Sequence, residues 1–118
     1  MEDVATVAQA QLAAFNARDL AALVGTYAPD AQLLELGGAV LADGRDQIRE
    51  RFQARFSEPN VHAQLLSRTI MGDIVVDTER VTRSFVEGPG TLEMLCLYEI
   101  VDGLIRRAWF ATGARTLR

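Results

Sequence analysis

The second half of the chain holds four long runs of strand-forming residues separated by short glycine-bearing breaks, and this pattern restricts the fold most. The runs cover 61–71, 74–87, 91–101 and 104–112, and the breaks are Gly72-Asp73, Gly88-Pro89-Gly90 and Asp102-Gly103. Segments of this length joined by such turns predict an antiparallel meander of hairpins. The first half has helical periodicity instead. Over 3–17, Val4, Val7, Ala8, Leu12 and Phe15 form one apolar stripe. Asp19 is placed to cap a second helix through Leu20, Leu23, Val24 and Tyr27, which Ala28-Pro29-Asp30 should end. A short strand over 32–36 stops at Gly37-Gly38, with Val40-Leu41 as its return. A third helix is predicted over 45–56, with Ile48, Phe52 and Phe56 on one side. Helices followed by a meander define an α+β domain. A sheet that curls under three helices encloses a conical interior, whose deep end suits a small ligand.

Composition narrows the function. With 118 residues and 49% hydrophobic content, the chain fits one domain around one core. A formal net charge of −4 opposes a nucleic-acid surface. Arg45, Arg49, Arg51 and Arg55 are interleaved with Asp46 and Glu50, the pattern of a solvated helix face. Cys96 is the sole cysteine, which excludes an intramolecular disulfide and suits a reducing, cytoplasmic setting. One His and one Cys are too few for the usual zinc ligands, and no glycine-rich loop marks a nucleotide or flavin, so no cofactor is expected. The acidic opening Met1-Glu2-Asp3 is unlike a signal peptide, and no apolar run is long enough to span a bilayer.

Four stretches, in order, carry a family resemblance. They are Ala14-Phe15-Asn16-Ala17-Arg18-Asp19-Leu20, Tyr27-Ala28-Pro29-Asp30-Ala31, Gly44-Arg45-Asp46-Gln47-Ile48-Arg49 and Tyr98-Glu99-Ile100-Val101-Asp102-Gly103-Leu104-Ile105. Together they resemble the nuclear transport factor 2-like superfamily, in particular its SnoaL-like and steroid delta-isomerase-like branch. The resemblance implies a cone-shaped, cystatin-like α+β fold, and a homodimer formed through the sheet face. Enzymes and non-catalytic binders share this fold, so it does not fix an activity. Carried over from the ketosteroid isomerases of the family, the general-base position falls at Glu35. The oxyanion-hole tyrosine falls at Gln11, its supporting tyrosine at Phe52, and the protonated aspartate at Leu97. The base position keeps a carboxylate while the strong donors are replaced. Each lost oxyanion donor costs about 10²–10³ in rate, which argues against steroid isomerisation by that mechanism.

Glu35 has two open placements. Strand alternation groups it with Leu33, either facing solvent or lining the cone, where desolvation would raise its pKa. Val76, Thr78, Arg80 and Thr82 share a face that the family register turns inward, so Arg80 is a candidate partner for Glu35 or for an anionic group. The alternative is a surface arginine. Phe15, Tyr27 and Phe110 join Gln11, Phe52, Arg80 and Leu97 as candidate ligand contacts. Glu99 is expected to pair with Arg106 across the Asp102-Gly103 turn. His62 is expected as an exposed strand-end residue, and Cys96 as an inert packing thiol. Trp109 falls on the outer face, where it and Met94 would make an apolar patch for a second copy. Three readings follow. The chain is an acid/base enzyme of isomerase, hydrolase or dehydratase type, using Glu35 on a small apolar molecule; or a non-catalytic binder of such a molecule; or a dimeric interaction module.

Overall fold

The computed structural model describes residues 3–118; the acidic opening Met1-Glu2 lies outside them. The elements are α1 (Val4–Ala17), α2 (Leu20–Gly25), β1 (Tyr27–Glu35), β2 (Val40–Asp43), α3 (Arg45–Phe56), β3 (His62–Met71), β4 (Ile74–Phe85), β5 (Gly88–Val101) and β6 (Leu104–Leu117). The strands form one curved sheet in the order β2-β1-β6-β5-β4-β3. β1 pairs antiparallel with β2, the run β3 to β6 pairs antiparallel in succession, and β1 joins β6 in parallel, so that β2 and β3 lie at opposite edges. This is the expected α+β meander under a helical cap. No helix among the described residues is long and apolar enough to cross a membrane.

The helices are held by specific polar contacts. Asp3 accepts from the Ala5 N–H at 2.8 Å and starts α1, while Asp19 accepts from the Ala22 N–H at 3.1 Å and starts α2. Arg18 ends α1 with a left-handed backbone at φ 58°, an unfavourable conformation for a residue with a side chain. Its guanidinium offsets that cost by donating to the carbonyls of Phe56, Glu58 and Pro59 at 2.6–2.9 Å. Asn16 mimics a strand neighbour. Its amide accepts from the Ala63 N–H at 2.8 Å and donates to the Ala63 carbonyl at 2.9 Å, which joins α1 to β3. Beneath the helices, Leu23, Tyr27, Leu33, Ile48, Val75, Tyr98, Ile100 and Ile105 are fully or almost fully buried. Each aliphatic member contributes roughly 1.5–3 kcal/mol by leaving water.

Four boundaries differ from expectation. The second helix stops at Gly25, and Tyr27 opens β1 with Pro29 inside the strand. Pro29 is tolerated because the β1–β6 register breaks between Tyr27 and Gln32, where no ladder N–H is required. The β4–β5 reversal lies at Val86-Glu87, since Gly88 already pairs with Phe85 and Gly90 with Arg83. Arg115 stabilises that end by stacking 4.4 Å from the Phe85 ring centroid and pairing with Glu87. β6 therefore runs on to Leu117. Finally, Asp102 (φ 54°) and Gly103 (φ 78°) make the expected tight turn, but a bulge between Glu99 and Ile100 places Glu99 opposite Arg107 rather than Arg106. The resulting pair is loose, at 3.9 Å.

Gly90 is buried where the β5–β6 ribbon closes. A β-carbon there would strike the Thr116 carbonyl oxygen and lie 3.1 Å from the Leu117 Cα. Gly90→Ala is expected to destabilise the protein by about 1–3 kcal/mol, read as a lower urea midpoint. An unchanged midpoint would show that the ribbon can open at no cost.

Candidate functional site

Strand alternation decides what the interior contains. On β4, Val75, Asp77, Glu79 and Val81 face the helices, and Val76, Thr78, Arg80 and Thr82 face away. β5 supplies Leu92, Met94, Cys96 and Tyr98 beside them, with Met94 directly opposite Glu79. Between this face and helices α1 and α3 lies a cavity of about 510 Å³. Leu12, Phe15, Phe52, Val81, Leu92, Met94 and Phe110 give it largely apolar walls. Edge-to-face packing fixes the aromatic rings, with centroids 6.1 Å apart for Phe15–Phe52 and 6.4 Å for Tyr98–Phe110.

The polar groups on the cavity floor are few and buried. Glu79 is 5% exposed, and the Cys96 thiol donates to its Oε1 at 3.6 Å. Burial, and then the charge of Asp77, raise the Glu79 pKa to about 7, with the thiol bond and Arg68 partly offsetting. Asp77 is 1% exposed and is held on Arg68 by two hydrogen bonds of 2.7 and 2.9 Å. Arg68 also donates to Gln9 on α1 at 3.1 Å. Tyr98 donates to the Gln11 oxygen at 3.3 Å, and the Gln11 amide donates to the Tyr27 hydroxyl at 3.4 Å. Burial pushes both phenols and the Cys96 thiol well above their ordinary pKa values, so all three stay protonated. The floor thus offers neutral donors around one carboxyl that titrates near neutrality.

The rim is cationic. Arg51 and Arg55 of α3 and Arg83 of β4 line the cavity together with Glu35. Glu58 joins two of them: Arg55 donates to one carboxylate oxygen and Arg83 to the other, each at 2.8 Å, and the Ser84 N–H adds a bond at 3.0 Å. Against the penalty of partial burial, these bonds hold Glu58 down at about 2. Arg51 makes no ion pair or side-chain hydrogen bond among the described residues. Burial, and then the charge of Arg55, lower its pKa, while Glu35 opposes them.

The sequence candidates divide accordingly. Gln11, Phe15, Phe52 and Phe110 line the cavity. Glu35 points to the same side as buried Leu33, but β1 has by then run out of the core, so its carboxylate is exposed at the rim rather than enclosed in an apolar pocket. Arg80 is exposed on the outer face, because the β4 register is one residue from the expected one. Leu97 lies on that outer face too, paired with Trp109. Tyr27 is fully buried behind Gln11 and does not reach the cavity mouth. Met94 lines the cavity, so it cannot join Trp109 in one surface patch. His62 is exposed at the start of β3. The basic run on α3 is more than a solvated face: Arg45 donates twice to the Tyr27 carbonyl, at 2.6 and 3.0 Å, and Arg51 and Arg55 border the cavity. Glu79 was the missed residue. The alternation of Leu92, Met94, Cys96 and Tyr98, matched across a tight Val86-Glu87 turn, would have placed it inside. Among the described residues, no three His, Cys, Asp or Glu side chains are grouped to hold a metal.

A curved, unclosed six-stranded sheet capped by N-terminal helices is the cystatin-like, nuclear transport factor 2-like architecture. A family model for the SnoaL-like domain matches residues 8–108, and the chain belongs to that family. No curated protein matches it. Among solved structures, an uncharacterised cystatin-fold protein from Novosphingobium aromaticivorans is similar at 25% identity and a TM-score of 0.86, covering 94% of this chain and 99% of the other. IdmH from Streptomyces antibioticus, a candidate polyketide cyclase, is 21% identical with a TM-score of 0.80, over 94% and 92% of the chains. A candidate polyketide cyclase from Sinorhizobium meliloti is 28% identical with a TM-score of 0.72, over 94% and 95%.

Glu79 makes stability depend on pH. Its folded-state pKa is raised, so the stability tied to its proton is complete below the ordinary glutamate pKa and is lost as pH rises through about 7. Glu79→Gln is expected to match the wild type near pH 4 and to exceed it at pH 8 by on the order of 2–3 kcal/mol. Urea titrations at the two pH values measure the difference, and a pH-independent gap would contradict the buried carboxyl.

Proposed function

We propose that this chain is an acid–base enzyme for a small, ring-sized, mainly apolar carbonyl compound, with Glu79 as the proton-transfer group. The observation that carries this reading is the position of Glu79, a carboxyl buried against an apolar cavity with only a weak thiol donor on it. In the reaction, a C–H bond next to the carbonyl breaks, its proton moves to the Glu79 carboxylate, and its electron pair passes into the carbonyl to give an enolate. Glu79 then returns the proton to a carbon of the enolate; or the enolate attacks a second carbonyl, whose π bond breaks as the ring closes, and Glu79 returns the proton to the resulting alkoxide. Gln11 is a neutral donor on the same floor: one amide hydrogen goes to the Tyr27 hydroxyl and its oxygen is held by the Tyr98 hydroxyl, which leaves the second amide hydrogen to meet the charge that develops on oxygen. The likeness to candidate polyketide cyclases supports this choice of chemistry. A pKa near 7 suits a residue that must both take and return a proton at neutral pH.

Deuterium exchange next to the carbonyl, followed by NMR across a panel of cyclic diketones in D₂O, tests the proposal. Exchange is expected to rise with pH through an apparent pKa of about 7. Glu79→Gln is expected to lower it by roughly 10²–10⁴-fold while the apolar probe N-phenyl-1-naphthylamine still binds. Glu35→Gln, at the exposed rim, is expected to retain exchange within a few-fold. Full activity in Glu79→Gln would defeat the assignment, and probe binding without exchange in the wild type would leave a non-catalytic binder.

A further inference from the structure

We infer that the ligand of this cavity is an amphiphilic organic anion, whose apolar body fills the interior and whose carboxylate or similar oxyanion is held at the rim by Arg51, with Arg55 and Arg83 beside it. The inference rests on the small-molecule reading above and adds a charged end to that molecule.

Folding accounts for Arg55 and Arg83, which Glu58 bridges, but gives no reason for Arg51 beside them. Arg51 and Arg55 stand four residues apart on α3, so two like charges sit on adjacent turns, an arrangement that weakens a helix. Local rules broken without a structural return mark sites kept for another purpose. Glu58 offsets only part of the repulsion and does not reach Arg51. Both of its oxygens are engaged, by Arg55 and Arg83, which fixes the two guanidinium groups side by side across the mouth. Each guanidinium has five N–H donors, so each keeps donors to spare after that contact. Arg51 is left without an ion-pair partner among the described residues. The rim therefore carries three arginines against Glu35 and Glu58, an excess of positive charge on a chain whose formal net charge is −4.

The floor explains why the anion belongs at the rim. Glu79, Val81 and Arg83 are successive inward residues of β4, so acid, apolar wall and cation follow one another along a single strand. Arg83 lies four residue steps along the strand from Glu79, roughly 13 Å along the backbone. That spacing leaves room for a ring-sized body and keeps a second negative charge away from the carboxyl. A planar guanidinium fork also suits two-point binding of a carboxylate better than a lone ammonium does.

Two fluorescent probes with one skeleton test the inference: 8-anilinonaphthalene-1-sulfonate, which carries an anion, and N-phenyl-1-naphthylamine, which does not. The wild type is expected to bind the sulfonate about tenfold more tightly, and added salt should weaken only that probe. Each probe should displace the other. Arg51→Gln should cut the preference at least threefold while leaving the neutral probe unchanged, and Arg51→Lys should restore part of it. Equal affinities, a preference that survives Arg51→Gln, or a sulfonate that the neutral probe cannot displace would each overturn the anion seat. If only the neutral probe binds and Glu79-dependent exchange persists, the seat fails while the enzyme reading stands. If neither probe binds, the seat fails, and the enzyme reading fails with it only where Glu79-dependent exchange is absent too.

Discussion

Arg68 and Asp77 face each other directly across β3 and β4, and their two hydrogen bonds lie inside the protein on an almost fully enclosed aspartate. A buried ion pair adds little net stability, because the desolvation of both charges offsets their attraction, but it is demanding about geometry. Shifting β4 by one residue would turn Asp77 outward, bury Thr78 and Arg80, and leave Arg68 facing the interior without a counter-charge. The pair thus opposes the slip that side-chain alternation otherwise leaves open. The cavity floor, its acid and Arg83 at the rim all depend on that parity.

This dependence also shows what the amino-acid pattern discloses. Helix positions are legible because Val4, Val7, Ala8 and Leu12 repeat with one period and Asp3 and Asp19 are caps. The meander is legible from its turns, and the family from four stretches spread over most of the chain. The site is only half legible. Gln11, Phe15, Phe52 and Phe110 can be placed because helix faces and the final strand have a clear apolar side. β4 has none: Val75 and Val81 mark one face, Val76 the other, and charged residues stand on both. Its orientation is set by a ladder whose turn was misplaced from 86–87 to 88–90, since Gly88-Pro89-Gly90 carries the stronger local turn signal. Gly90 serves instead to let β6 pass close by. Glu35 falls between its two open placements, on the cavity side yet exposed at the rim, because alternation gives the side of a strand and not the distance to its end.

Chemically the cavity is divided. Its floor keeps phenols, a thiol and a carboxyl in neutral or readily neutralised forms, while its rim holds guanidinium groups that never lose their charge at ordinary pH. A molecule with one apolar and one anionic end would have a single favourable orientation between them. Placing a reacting atom then requires no deep charged contact, which a low-dielectric floor would make expensive.

The fastening of α1 has a kinetic consequence. Asn16 is bonded to both the N–H and the carbonyl of Ala63 on β3, and Arg18 holds the last carbonyl of α3 and two just after it, so the helical cap is fastened at that end. Molecules would then come and go by way of the rim, past Arg51 and Glu35, whose side chains no ion pair holds among the described residues and which can swing on the picosecond-to-nanosecond scale, rather than by whole helices moving over microseconds or longer. Residence time would follow from how strongly a guest is gripped at the doorway, not from how often the roof lifts.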